Sequence, residues 1–238
     1  IQSILFDILF YTVSALILFV IGPFAYILPQ RMVYRVPYYW ARLTLWMLRK
    51  IAGITIEYKG TPPDISIKPQ ECVIFACQHE SALDVIFPYT ILPAFTVVMK
   101  KELTYIPFLG VFHNRMQSIF IDRKNGHRSV RSMLDKAKNA FTHHRHILIY
   151  PQGHRYPFGA PGPVQGGVFL LYKHLSCRVI PIRLNTGKNW QRKGVFKKPG
   201  KVTIEFGDPI EQGLDKQTLI HRLNTFYREQ YGIYHHAP

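Results

Sequence analysis

Cys72-Val73-Ile74-Phe75-Ala76-Cys77, followed at once by Gln78-His79-Glu80-Ser81-Ala82-Leu83-Asp84, is the stretch on which the fold turns. The first six residues form a short apolar run that reads as a buried strand. A strand end that delivers a histidine, and an aspartate five residues later, is a place where chemistry can sit. Spacing restricts how the two side chains meet. Within one regular helix, residues five apart point about 140° away from each other, because each residue turns about 100°. His79 therefore reaches Asp84 only from the turn before a helix. Ser81 supports that arrangement, since Ser-x-x-Asp is a capping-box-like start with Ser81 as N-cap and Asp84 at N3. Asp84 then holds one ring nitrogen and leaves the other as a general base for a hydroxyl. The plainer alternative for this stretch alone is a helix-start carboxylate beside a surface histidine.

Outward from this stretch the pattern is α/β. Strands are expected at Ile54–Tyr58, Cys72–Cys77, Phe95–Met99, Ser118–Ile121, His146–Tyr150, Arg178–Leu184 and Val202–Phe206. Helices are expected at Ala82–Leu92, Arg128–Phe141, Val164–His174 and Thr218–Tyr231, the last an amphipathic helix that packs on the sheet. This alternation predicts a mixed, largely parallel sheet covered by helices, with ligands gathering at the carboxyl ends of the strands. A Pro-rich loop joins the first two strands (Thr61-Pro62-Pro63, Pro69), and His235-His236 reads as a frayed terminus.

Towards the amino terminus, Ile8 to Leu28 is apolar and close to the roughly 20 residues needed to span a bilayer. Gly22-Pro23 interrupts it, leaving two forms open: a kinked spanning helix, or a re-entrant hairpin that dips into one leaflet. Asp7 stands where a signal peptide carries basic residues, which argues against one. Arg31, Arg35, Arg42, Arg49 and Lys50 follow, interleaved with Tyr34, Tyr38, Tyr39, Trp40 and Trp46. That mixture belongs at a lipid headgroup interface and places the rest of the chain on the cytoplasmic side. Residues 1–53 are therefore expected to be a membrane-associated helical segment, and 54–238 an α/β domain.

Composition agrees. The chain of 238 residues has a net charge of +16, which calls for an anionic partner: nucleic acid, an anionic membrane surface or phosphorylated substrates. No nucleic-acid motif is present, and the apolar amino terminus accounts for the charge better. The three cysteines make no CxxC pair, and the histidines make no HExxH or Cys/His spacing, so neither a disulfide framework nor a metal site is expected.

His79-x4-Asp84, Phe120-Ile121-Asp122-Arg123, Tyr150-Pro151-Gln152-Gly153-His154-Arg155 and Val179-Ile180-Pro181-Ile182 occur in the order and spacing of the four blocks of the glycerolipid acyltransferases. The chain resembles their bacterial lysophosphatidate-acylating members in particular. Lys100-Lys101-Glu102-Leu103 with Ile106-Pro107-Phe108-Leu109-Gly110 is similar to the segment between the first two blocks, and the likeness runs from about Arg31 to Gly213. The resemblance implies transfer of an acyl group from acyl-CoA or acyl carrier protein to the sn-2 hydroxyl of lysophosphatidate, with no bound cofactor. His79 would be the base and Asp84 its support. Arg155, Arg123 and Lys100 would bind the substrate phosphate, with Lys101 an equal rival to Lys100 on spacing. Gly153 would let the backbone approach a ligand, Pro181 would shape the acyl-binding or membrane-facing wall, and Ser81 is a cap rather than a nucleophile. The third block usually reads Phe-Pro-Glu-Gly-Thr-Arg, so Tyr150, Gln152 and His154 are departures. Gln152 keeps an acceptor, loses a charge and gains two donors. The implied setting is the cytoplasmic (inner) membrane, with membrane lipids and a lysophospholipid as partners. Alternatives are another acceptor, such as lyso-ornithine lipid, glycerol-3-phosphate or a lipid A precursor, and a non-catalytic membrane-binding protein.

Overall fold

The structure, a computed structural model, describes residues 1–61, 71–122, 126–192 and 194–230. The Pro-rich loop, Arg123 and His235-His236 lie outside the described residues. A seven-stranded sheet is built from β1 (Ile54–Gly60), β2 (Ile74–Cys77), β3 (Phe95–Lys100), β4 (Ile119–Ile121), β5 (His146–Ile149), β6 (Val179–Leu184) and β7 (Gly200–Phe206). Their order is β1-β7-β6-β2-β5-β3-β4, and neighbours run parallel except β6 with β7. The expected mixed, largely parallel sheet is therefore present. β2 lies near its middle, with Ile74 level with Ile147 on one side and Val179 on the other. Every residue of β2 and β5 is buried, which is why both read as continuous apolar runs rather than as alternating ones.

Side chains alternate across this sheet and define two layers. Ile74 and Ala76 face α5 (Gly126–Thr142), α6 (Gly167–Leu175) and α7 (Lys216–Glu229), whose Met133, Val168, Leu171, Leu219 and Tyr227 complete one core. α7 starts at Asp215, whose carboxylate accepts the N–H groups of Gln217 and Thr218. Phe75 and Cys77 face the other way, against Phe87, Ile180 and Ile182. Over the β1–β7 end of the molecule lie α1 (Gln2–Leu16) and α2 (Gln30–Lys50), where Phe6, Ala41, Met47 and Leu48 pack on Leu83, Ile86, Trp190 and Val202.

The expected helix over Ala82–Leu92 does not form. In its place are a single 3-10 turn, Leu83–Val85, and one turn of α-helix, α3 (Pro88–Ile91). Phe87 keeps helical dihedrals, but Pro88 has no N–H to bond back to the preceding turn, and the helical hydrogen-bond ladder is interrupted there. Ser81 is accordingly not the N-cap. A further helix not foreseen in the sequence, α4 (Leu109–Arg115), connects β3 to β4.

Gly22-Pro23 does not break the apolar segment either. α1 continues through a π turn (Ile17–Ile21) into a 3-10 turn (Gly22–Tyr26), with Pro23 in the opening turn where no N–H is required. Gly22 is needed there, because a Cβ would lie 2.5 Å from Cβ of Phe108. Gln2–Tyr26 is thus one helical run, long and apolar enough to cross a membrane. Ile8, Tyr11, Leu16, Phe19, Val20 and Phe24 are exposed along it.

Both ends of this run are tied to the sheet domain. Near its start, Asp7 pairs with Lys197, a buried cation in the β6–β7 connection whose ammonium lies 5.7 Å from the Phe6 ring and 5.3 Å from Trp190. Ser3 Oγ accepts from Lys197 N at 2.9 Å and donates to its carbonyl at 3.2 Å. At the far end, Phe19 meets Phe108 edge-on at 5.7 Å. Arg115 donates to the carbonyls of Ala25 (3.0 Å), Tyr26 and Leu28 (2.8 Å), satisfying groups that a helix end leaves open. In strand order these attachments lie beyond β2 and β5 on either side. The apolar run is therefore anchored to the sheet domain at both ends.

Candidate active site

β2 ends at Cys77, and the next residues turn across the carboxyl edge. Asp84 folds back over this turn and is completely buried. Its Oδ2 accepts the N–H groups of Glu80 (2.5 Å) and Ser81 (2.7 Å) and stands 3.0 Å from Nδ1 of His79. Oδ1 accepts from Thr186 Oγ1 at 2.5 Å and from Ser81 Oγ at 3.4 Å. The carboxylate is held by backbone and hydroxyl donors, not by a cation. Ser81 keeps a supporting role, with its N–H and Oγ on Asp84 and its Oγ accepting Leu83 N–H at 3.0 Å.

A carboxylate only accepts, so Nδ1 of His79 carries the proton and Nε2 presents a lone pair. The His79 side chain is 15% exposed, and Nε2 has no partner among the described residues. Three contacts fix the residue. Its ring stacks on Tyr150 with centroids 4.4 Å apart. Its N–H donates to Gln152 Oε1 at 2.9 Å, and its carbonyl accepts Tyr156 N–H at 2.9 Å. Tyr150 donates its hydroxyl to the Asp84 carbonyl at 2.7 Å. Burial pushes that hydroxyl well above its ordinary pKa, which keeps it a donor.

Gln152 is 1% exposed and bridges His79 N–H and the Gly162 carbonyl, donating to the latter from Nε2 at 3.2 Å. A residue that must accept at one end and donate at the other is an amide, not a carboxylate. Gly153 lies at φ +80° and closes a turn through its N–H to the Tyr150 carbonyl at 2.9 Å, a conformation suited to glycine. Pro181 is buried inside β6 level with Ala76, and lines neither the dyad nor the cleft beside it.

The expected phosphate ligands separate. Lys100 is exposed at the end of β3, and its neighbour Lys101 pairs with Asp122 at 3.2 Å. Arg155 lies on the other side of the dyad. It lines a cleft of about 510 Å³ with Glu80, Phe158, Lys188, Arg192 and Lys198. Lys100 is not among the residues of that cleft. A second cleft, about 470 Å³, sits at the opposite, amino-terminal edge around Glu71 and Arg178. The 2.5 Å Arg178–Glu71 pair there is structural and lies away from His79.

Residues 62–185, more than half of the chain, match the family model described as Acyltransferase. The chain belongs to the acyltransferase family. It is 29% identical over 222 residues to a 1-acyl-sn-glycerol-3-phosphate acyltransferase of Pseudomonas aeruginosa, covering 91% of this chain and 85% of that one. It is 25% identical over 199 residues to the alpha 1-acyl-sn-glycerol-3-phosphate acyltransferase of Mus musculus, 79% of this chain and 69% of the relative. A crystal structure of the 1-acyl-sn-glycerophosphate (LPA) acyltransferase PlsC from Thermotoga maritima superposes with a TM-score of 0.76 over 97% of this chain and 95% of that one. At 16% identity that likeness shows the fold alone.

Thr186 and Tyr150 support the His79–Asp84 pair in ways the sequence left unassigned, and Gln152 does so through the His79 N–H. Thr186 is 102 residues from Asp84, and no local pattern connects them. Tyr150 and Gln152 were visible only as departures from the third block.

Proposed function

We propose that this acyltransferase moves an acyl group from an acyl thioester, on coenzyme A or acyl carrier protein, to the sn-2 hydroxyl of lysophosphatidate, giving phosphatidate. The observation that carries the reading is the unpartnered Nε2 of a histidine whose Nδ1–H is fixed on a buried carboxylate. Nε2 takes the proton of the acceptor hydroxyl as its oxygen bonds to the thioester carbonyl carbon. Asp84 stabilises the imidazolium so formed. The tetrahedral oxyanion then collapses, the carbon–sulfur bond breaks, and the departing thiolate takes the proton back from Nε2. No acyl-enzyme forms and no cofactor is required.

In the acceptor, phosphate and reacting hydroxyl are separated by a few bonds, so its cation must stand close to His79. Arg155 suits this, since Tyr156 beside it is bonded to the His79 carbonyl. Lys100, at the end of β3, lies on the other flank, and Arg123 remains a proposed partner on the resemblance of its block. In this reading residues 1–53 are the membrane-associated part and 54–238 the catalytic part. The exposed Arg31, Arg35, Arg42, Arg49 and Lys50 of α2 favour the anionic cytoplasmic leaflet. Attachment of the apolar run at both ends favours the re-entrant form over the spanning one.

The test is acyl transfer to lysophosphatidate in liposomes by wild type and His79→Ala. Phosphatidate formation that drops by several orders of magnitude in the variant supports the reading. Turnover restricted to a different lysolipid would keep the dyad and change the acceptor. No turnover with either donor and any acceptor would leave the binding-protein reading.

A further inference from the structure

Among the described residues, Arg178, Arg183 and Lys197 are each matched by a carboxylate, Glu71, Glu205 and Asp7, while the enclosed Arg145 and Arg115 are held by several backbone carbonyls. The cleft at the end of β6 is different. Arg155, Lys188, Arg192 and Lys198 converge on it, and among the described residues none of them forms an ion pair. Its one carboxylate, Glu80, is 1% exposed and accepts the Gly187 N–H at 2.8 Å, so it braces the wall. Phe158, 40% exposed, adds an aromatic surface. Like charges gathered in a concavity repel one another and disfavour the empty state, which an anionic ligand relieves.

From this arrangement we propose that Lys188, Arg192 and Lys198 bind the phosphates of the nucleotide part of acyl-coenzyme A. The inference rests on the acyltransferase reading of the dyad and assigns the donor within it. Charge number and reach separate donor from acceptor. A single lysolipid phosphate is served by one or two cations close to His79, and Arg155 already stands there. The coenzyme instead carries its diphosphate and ribose phosphate at the far end of a pantetheine arm about 15 Å long, by ordinary chain dimensions. Its charges therefore belong in a site that starts beside the dyad and extends away from it. This cleft does so: Gly187 is bonded to Glu80 next to His79, Arg192 to the Arg155 carbonyl at 3.0 Å, and Lys198 N to the Asn189 carbonyl at 2.8 Å. At about 510 Å³ the concavity also has the size of small-molecule sites, whereas an acidic carrier protein would dock on an open face.

The experiment uses the full chain in detergent, with Lys188→Ala, Arg192→Ala, Lys198→Ala and the triple variant; these side chains are exposed. Lys136→Ala/Lys138→Ala, exposed on α5, controls for the loss of surface charge. Calorimetry with free coenzyme A and with adenosine 3′,5′-bisphosphate reads the cleft without turnover. Charge-assisted contacts to phosphate predict roughly tenfold weaker binding per single variant and at least about a hundredfold for the triple. Steady-state kinetics should show the KM for acyl-coenzyme A rising in parallel, with the KM for lysophosphatidate held. Unchanged coenzyme binding in the triple variant overturns the proposal. So does a rise confined to the KM for lysophosphatidate, which would make the cleft an acceptor site, or a rise confined to acyl carrier protein as donor. If wild type acylates nothing yet binds coenzyme A through these cations, the function reading fails and the donor site stands.

Discussion

Gln152→Glu restores the carboxylate usual in the third block, and the structure predicts that here it harms the protein. Gln152 is 1% exposed, accepts from His79 N–H at 2.9 Å and donates to the Gly162 carbonyl at 3.2 Å. An ionised Glu keeps the first bond and loses the second, setting one acceptor against another. A buried carbonyl left unpaired costs about 1–3 kcal/mol, and the buried charge adds to this, so about 3 kcal/mol is a fair expectation at pH 7. For a chain of this size that lowers Tm by roughly 6–12 °C. The protonated acid can donate to Gly162, so the native state holds a proton that the unfolded state releases. An acid whose native pKa is raised loses stability as pH rises above its unfolded value of about 4.3. The deficit relative to wild type should therefore be small near pH 4.5 and full at neutral pH. Thermal unfolding of both proteins in detergent between pH 4.5 and 8 measures it. Equal Tm values at pH 7, or a deficit that grows towards low pH, would refute the argument.

Asp84→Asn should reduce turnover by roughly 10³-fold or more at unchanged acyl-donor KM, because the amide no longer fixes the His79 tautomer or stabilises its imidazolium; steady-state kinetics reads this directly. Thr186→Val removes the 2.5 Å hydroxyl bond to Asp84 Oδ1 and should lower kcat by roughly 10- to 100-fold, with Thr186→Ser recovering most of the loss. Asp7→Ala leaves the Lys197 ammonium buried without its carboxylate and should cost about 3 kcal/mol or more in thermal unfolding, whereas Asp7→Ala/Lys197→Met should recover most of it. Burial pushes the rings of His113 and His146 down to about 4. The native state then binds fewer protons than the unfolded one between about pH 6.5 and 4, and stability falls as pH drops through that window. Denaturant midpoints should show a shallower fall in His113→Asn/His146→Asn.

The central strands were legible because β2 and β5 are buried on both faces, and most of β6 is, leaving largely apolar runs. His79 and Asp84 were legible because their contact is local, five residues apart across a turn. The same locality misled over Ala82–Leu92, where the capping-like Ser81 suggested a helix that Pro88 interrupts. Thr186 was out of reach, since only the parallel pairing of β2 with β6 carries it to Asp84. The role of Gln152 depends on a carbonyl ten residues on, in a loop without periodicity. The cleft of cations is likewise assembled from two loops, one after β5 and one after β6, and sequence order keeps them apart.

The bond between Asp7 and Lys197 joins residues 190 positions apart. At the usual pace of synthesis, about 5–20 residues per second, Asp7 emerges roughly 10–40 seconds before its partner exists. Throughout that interval the apolar run has no Lys197, no Trp190 and no β7 to rest on. A bilayer is the surface that can receive it meanwhile. The last strands would then be folded against a helix already resting in lipid, and the order of translation itself would set the sheet domain at the membrane.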